Sequence, residues 1–191
     1  MPPKVQITRE MIVDAGLEIV RSEGHEALNL RKIAGALNCS TRPMTYWFEN
    51  ADDLKRAVYT KADELHTNYI MNIDPSKGVM LSIGLNYIRF GANEPGLFRF
   101  LFQSGLAKGG SMAEIIKAEE MSPILAAMGK AMGVSLEETK RIFLTIALFA
   151  HGYASLIAGS SMKFDEKVIA EHLERAYRGA VLAAREETGD A

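Results

Sequence analysis

Residues 29–48 read NLRKIAGALNCSTRPMTYWF, and the fold turns on how this stretch is read. Leu30, Ile33, Ala34 and Leu37 recur at i, i+3, i+4 and i+7, the spacing of one helix face. Asn29 stands just before them, where a side-chain oxygen can accept a hydrogen bond from an unpaired first-turn N–H. Asn38-Cys39-Ser40 breaks the pattern, because Asn tolerates left-handed backbone better than most residues. A second short helix is then expected from Thr41 to Phe48, with Ser40 as its cap and Pro43 in the first turn, where proline is tolerated. Met44 and Phe48, one turn apart, face inward. Two short helices joined by a three-residue break imply a helix-turn-helix, although the periodicity fits an ordinary bundle hairpin equally well.

Helical signals continue on both sides. Thr8 caps a first helix with a stripe of Met11, Ile12, Ala15 and Ile19, and Gly24 ends it. Asn50 caps a fourth helix, with Asp52 and Asp53 near its positive end. Asp74-Pro75 is expected to open a fifth helix reaching Asn93, and an aromatic helix covers Gly96 to Gln103. Capping boxes stand at Ser111 to Glu114 and at Ser135 to Glu138, with Pro123 expected to kink or split the helix between them. Asp165 opens the last helix. No alternating strand pattern appears, so the expected class is all-α with about nine helices.

Composition limits the function classes. The chain has 191 residues, 48% hydrophobic and 24% charged, with a formal net charge of −2. Residues 29–61 carry six Lys or Arg against three Asp or Glu, a weak local basic footprint on an acidic background. Cys39 is the sole cysteine, which excludes an intrachain disulfide or a thiolate metal cluster. No secretory pattern opens the chain, so a reducing, cytoplasmic setting is expected.

A helix-turn-helix meets DNA through the leading end of its second helix, because the major groove admits a helix and distinguishes all four base pairs there. Thr41, Arg42 and Pro43 form that leading end, while Thr45, Tyr46 and Trp47 lie along the flank, suited to phosphate and sugar. Residues 8 to 61 resemble the DNA-binding domain of the tetracycline-repressor (TetR) family. The match runs through Gly24, Leu30-Arg31-Lys32-Ile33-Ala34, Leu37, Ser40, Met44, Tyr46-Trp47-Phe48, Asn50, Asp53 and Leu54. The resemblance implies that Thr41, Arg42 and Pro43 read bases. It also implies that Arg31 reaches a base in some relatives, Asn29 can hold a phosphate, and Trp47 touches backbone or a thymine methyl. Three positions depart from the family pattern: Asn38 replaces a glycine, Thr45 a phosphate-binding tyrosine, and Ala51 a lysine. Lys55 and Arg56 stand one turn beyond the lost lysine.

The resemblance further divides the chain into a DNA-binding domain at 1–61, with its helix-turn-helix at 29–48, and a ligand-binding and dimerisation domain at 62–191. Tyr87-Ile88-Arg89-Phe90, Glu94 to Phe98 and His151-Gly152 carry it in the second part. Four of the eight phenylalanines fall within residues 90–102, and the chain holds ten methionines. Such side chains suit an adaptable apolar cavity for a small apolar or amphipathic effector, and they suit plain core packing as well. His66, Tyr69, Tyr87, Phe102, Phe149 and Tyr153 are the candidate lining. Residues 142–162 contain no Lys, Arg, Asp or Glu, enough to match a membrane span in length. Its hydroxyl groups, glycines and histidine favour instead a helix between cavity and partner subunit. Ala147, Ala154 and Ala158 on that helix, with Ile169, Leu173, Ala176, Tyr177 and Ala180 on the last, are the candidate dimer interface.

Three functions follow from these readings. The first is a transcriptional regulator, a repressor released from double-stranded operator DNA by its effector, acting as a homodimer with no membrane attachment and no cofactor. The second is a dimeric helical scaffold with weakened or lost DNA binding. The third is a small helical enzyme drawing on His25, His66, His151 and His172, but no nucleophile or metal-binding spacing accompanies those histidines.

Overall fold

The computed structural model describes residues 6–106 and 121–188, and the described residues form nine α-helices and one short 3₁₀ turn. They pack as two compact units, one drawn from Met1–Asn68 with Glu94–Ala107, the other from Tyr69–Asn93 with Lys108–Ala191.

In the first unit, α1 (Arg9–Glu23) starts where the Thr8 hydroxyl accepts the Met11 N–H at 3.2 Å. Gly24 takes φ +88° to leave the helix, a conformation L side chains rarely adopt. After the His25–Ala27 turn, α2 (Leu30–Ala36) is capped by Asn29, whose Oδ1 accepts the Lys32 N–H at 3.0 Å. Asn38 has φ +50°, as its place in the break demands. Next, α3 (Arg42–Trp47) turns Met44 into the core, and the following Phe48 is buried too. The cap expected from Ser40 is not made: Thr41 is the N-cap residue, already in helical backbone, with no side-chain cap bond. Helix α4 (Ala51–Ile70) begins after Asn50, whose Oδ1 accepts the Asp53 N–H at 2.9 Å. It buries Leu54, Val58, Ala62 and His66 at intervals of four, a single inward stripe.

The aromatic helix α6 (Pro95–Gln103) packs in this same unit, against α1. Gly96 permits the crossing, since a Cβ there would stand 2.6 Å from the Val20 carbonyl oxygen. Phe98, Phe100, Leu97 and Leu101 are all buried. Thus residues 95–103 share a core with the first helices.

The second unit holds α5 (Val79–Asn93), α7 (Ser122–Met132), α8 (Leu136–Ala158) and α9 (Glu166–Thr188). The fifth helix starts later than its Asp-Pro signal suggests. Asp74 Oδ1 accepts both the N–H and the hydroxyl of Ser76, at 3.0 and 2.6 Å, so Asp74 and Pro75 build a turn instead. Pro123, expected to kink or split a helix, sits in the first turn of α7, where proline is tolerated; residues 107–120 before it lie outside the described residues. The capping box expected at Ser111 to Glu114 lies outside the described residues. The Ser135–Glu138 box is formed, with both reciprocal bonds present. Asp165 Oδ1 accepts the Val168 N–H at 3.1 Å and opens α9. Leu85, Ile88, Ile142, Ile146, Ile169 and Leu173 form the core of this unit. One described helix, Leu136–Ala158, is long and apolar enough to cross a membrane by length and composition; here it packs on α5, α7 and α9.

Candidate nucleic-acid interface

The leading end of α3 is open to solvent. Thr41 and Arg42 are exposed and Pro43 is half-buried, while Met44 beneath them is 0% exposed. Arg31 stands exposed on α2. The turn is held by backbone bonds alone, with the Asn38 N–H donating to the Gly35 carbonyl and the Cys39 N–H to the Ala34 carbonyl. The side chains at the tip are therefore not needed to shape it.

Further along the helix the groups are more engaged. The Thr45 hydroxyl donates to the Arg42 carbonyl at 3.0 Å, so it is directed back along its own helix. Tyr46 is 79% exposed and Trp47 39% exposed, and their rings meet edge to face at 5.0 Å. The Trp47 indole N–H donates to the Ile7 carbonyl at 3.1 Å. That bond ties the residue before α1 to the end of α3, and no sequence signal marks Ile7 for the role. Asn29 uses both ends of its amide locally, capping α2 and donating to the Ala27 carbonyl at 3.0 Å. The Lys55 ammonium lies 4.0 Å from the Asp52 carboxylate on an exposed face. Lys32, also on α2, pairs with Glu23.

The six residues expected to line a cavity are distributed over both units. His66 is buried in the first unit and meets Phe102 edge to face at 5.3 Å; Phe102 lies 4.8 Å from Phe98. Burial pushes the His66 pKa down to about 4, because removing water disfavours the imidazolium. The other four lie in the second unit. Tyr69 packs on Phe90 and accepts from the Asn93 amide at 2.9 Å. The Tyr87 hydroxyl and His151 Nδ1 are 2.9 Å apart, and burial raises the phenol pKa while lowering that of the imidazole. The Phe149 and Tyr153 rings meet at a tilt with centroids 5.3 Å apart, and the Tyr153 hydroxyl meets His172 Nδ1 at 2.5 Å. Phe149 lines a groove of about 660 Å³ between α8 and α9, walled also by Leu148, Ala176, Gly179, Ala180 and Ala183.

The residues expected at a dimer interface divide by burial. Ala154, Ala158, Ile169 and Leu173 are enclosed within their own unit and cannot touch a partner from there. Ala147, Ala176, Tyr177 and Ala180 are half-buried and reach the surface. The large apolar side chains that α8 and α9 leave outside are Leu136, Leu148, Leu156, Val168 and Leu182, between 42% and 60% exposed. No group of three or more His, Cys, Asp or Glu that could hold a metal occurs among the described residues.

No protein-family model matches the chain, and neither does any curated protein. Solved structures do. A TetR-like transcriptional regulator from Rhodococcus sp. RHA1 aligns with a TM-score of 0.62 at 14% identity, covering 91% of this chain and 98% of the other. A member of the TetR family from Streptomyces coelicolor A3 aligns at 0.57 and 18% identity, covering 88% and 96%. A TetR family protein from Vibrio parahaemolyticus aligns at 0.57 and 16% identity, covering 92% and 97%. The chain shares the all-α architecture of these proteins, with helix-turn-helix geometry at its N-terminal end.

Proposed function

We propose that this chain is a DNA-binding transcriptional regulator, a homodimeric repressor of the cytoplasm released from its operator by a small apolar or amphipathic effector. The observation that carries the reading is the exposed tip of α3, with Thr41 and Arg42 outside a helix anchored by buried Met44 and Phe48. A short braced helix with a free leading end is the form that enters the major groove. Arg31 and Arg42 supply planar donor forks that suit guanine O6 and N7. The 660 Å³ groove and exposed Leu148 and Leu156 support self-association through α8 and α9, where small residues allow close helix approach. A two-fold dimer then presents two tips about 34–36 Å apart, or a multiple of that spacing. The effector acts by binding better to the form whose spacing does not fit DNA.

A fluorescence-polarisation titration against DNA flanking the coding region tests the proposal. Arg42→Ala should weaken specific binding far more than binding to random duplex. Arg31→Ala should cost roughly 1–3 kcal/mol and relax selectivity at one base pair. Equal loss on every sequence would reduce both arginines to phosphate contacts. One observation favours the second reading, a dimeric scaffold with weak or lost DNA binding: the Thr45 hydroxyl is bonded to its own helix, not offered to phosphate. Absence of binding to any flanking duplex at low salt would decide for that scaffold.

A further inference from the structure

The segment between α4 and α5 has almost no apolar anchorage, yet its backbone is held at several points. Asn86, buried on α5, donates its amide to the carbonyls of Ile70 and Asn72, at 3.4 and 2.8 Å. Ser82, also buried, accepts the Asp74 N–H at 3.2 Å and donates to the Asp74 carbonyl at 3.0 Å. The Asn86 amide oxygen in turn accepts from Arg89 at 2.8 Å, and the second guanidinium nitrogen of Arg89 donates to Glu166 at 2.8 Å. Glu166 is the first residue of α9, and its other carboxylate oxygen takes Lys77 at 2.8 Å. Asn72, Asp74, Lys77, Ser82, Asn86 and Arg89 line a cavity of about 210 Å³. The bonds form an unbroken relay from the start of α9, through Arg89 and Asn86, to the last carbonyl of α4.

We propose that Arg89 and Glu166 are positioning residues, fixing the exit of α4 and the 71–78 segment to the start of α9. The idea rests on the DNA-binding dimer proposed above: α9 carries part of the dimer surface, and α4 leads back to the DNA-reading helices. The relay then restricts the half-site spacings that one dimer accepts. Charge alone does not explain the arrangement. Lys77 and Arg89 are balanced by Asp74 and Glu166, so the cluster is neutral and directs its donors to defined atoms.

Hydrogen exchange on the full chain tests the relay directly. Glu166→Gln should speed exchange across residues 71–78 about fivefold, the size expected of a partly exposed ion-pair network, and leave α1 to α3 unchanged. Arg89→Met should do the same, and the double variant should add nothing further, because a relay broken at one link is broken. Arg89→Lys, which keeps the charge but loses the planar fork, serves if Arg89→Met does not fold. Each variant should also bind operators with half-sites moved by one base pair relatively better than the parent does, measured well below the melting temperature. Unchanged or additive exchange overturns the relay. Altered exchange with unchanged spacing preference leaves a structural clamp only and overturns the positioning role. Absence of any DNA binding overturns the regulator reading and the positioning role together, while the exchange result still decides whether the relay exists.

Discussion

In the first unit Thr41, Arg42 and Tyr46 stand outside a core closed by Met44 and Phe48, whereas in the second Tyr87, His151, Ser82 and Asn86 turn their polar groups toward one another or toward backbone. The difference concerns what each surface can change independently. At the α3 tip, backbone bonds and apolar anchors make the shape, so the outward residues can be replaced without disturbing it. In the second unit the polar groups hold the fold themselves. A substitution there alters the stability of the unit.

The largest effect that could break this comparison lies under the first unit. Phe98→Ala removes a ring that is 0% exposed, and it should cost about 3–5 kcal/mol of unfolding free energy, read from urea denaturation. A loss below about 1 kcal/mol would show that the first unit is not closed by its aromatic helix. Next comes His66, which folds as neutral imidazole with a pKa near 4. The unfolded chain takes up the proton near pH 6.5, so the contribution is complete above that pH and disappears as pH falls toward 4, by roughly 3 kcal/mol. His66→Leu should flatten that part of the stability–pH curve. Parallel curves for parent and variant would show that the histidine is solvated.

The smaller effects sharpen the contrast between the units. Tyr87→Phe deletes the hydroxyl that meets His151 and should cost about 1 kcal/mol, seen as a lower melting temperature. Arg31→Ala, on the exposed face of α2, should move stability by no more than about 0.5 kcal/mol while changing DNA selectivity. If Arg31→Ala proved more destabilising than Tyr87→Phe, the division between an independent reading surface and an interlocked second unit would fail.

The same division explains what was legible beforehand. The helix-turn-helix could be read because its signals are local: Asn29 caps, Asn38 turns, and Leu30 to Leu37 repeat within eight residues. Burial at Met44 and exposure at Arg42 follow from helical periodicity. The candidate cavity and interface were less legible because the apolar pattern of α8 and α9 runs round much of each helix. Periodicity cannot say which apolar face meets the chain's own core, so Ala154, Ala158, Ile169 and Leu173 read like surface residues but are enclosed. The α6 helix joins the first unit through Gly96, a contact between segments more than seventy residues apart that no local signal records. Asp74-Pro75 resembled a helix start because an Asx turn and an N-cap use the same residue types.

The bond between Trp47 and the Ile7 carbonyl has a practical consequence. Trp47 is the chain's single tryptophan, so indole emission, excited at wavelengths the tyrosines do not absorb, reports one place, the end of α3. Docking on a duplex would alter the surroundings of that indole, and release of the Ile7 carbonyl would free its N–H to water. The protein thus carries its own optical probe at the point where its function is proposed to begin.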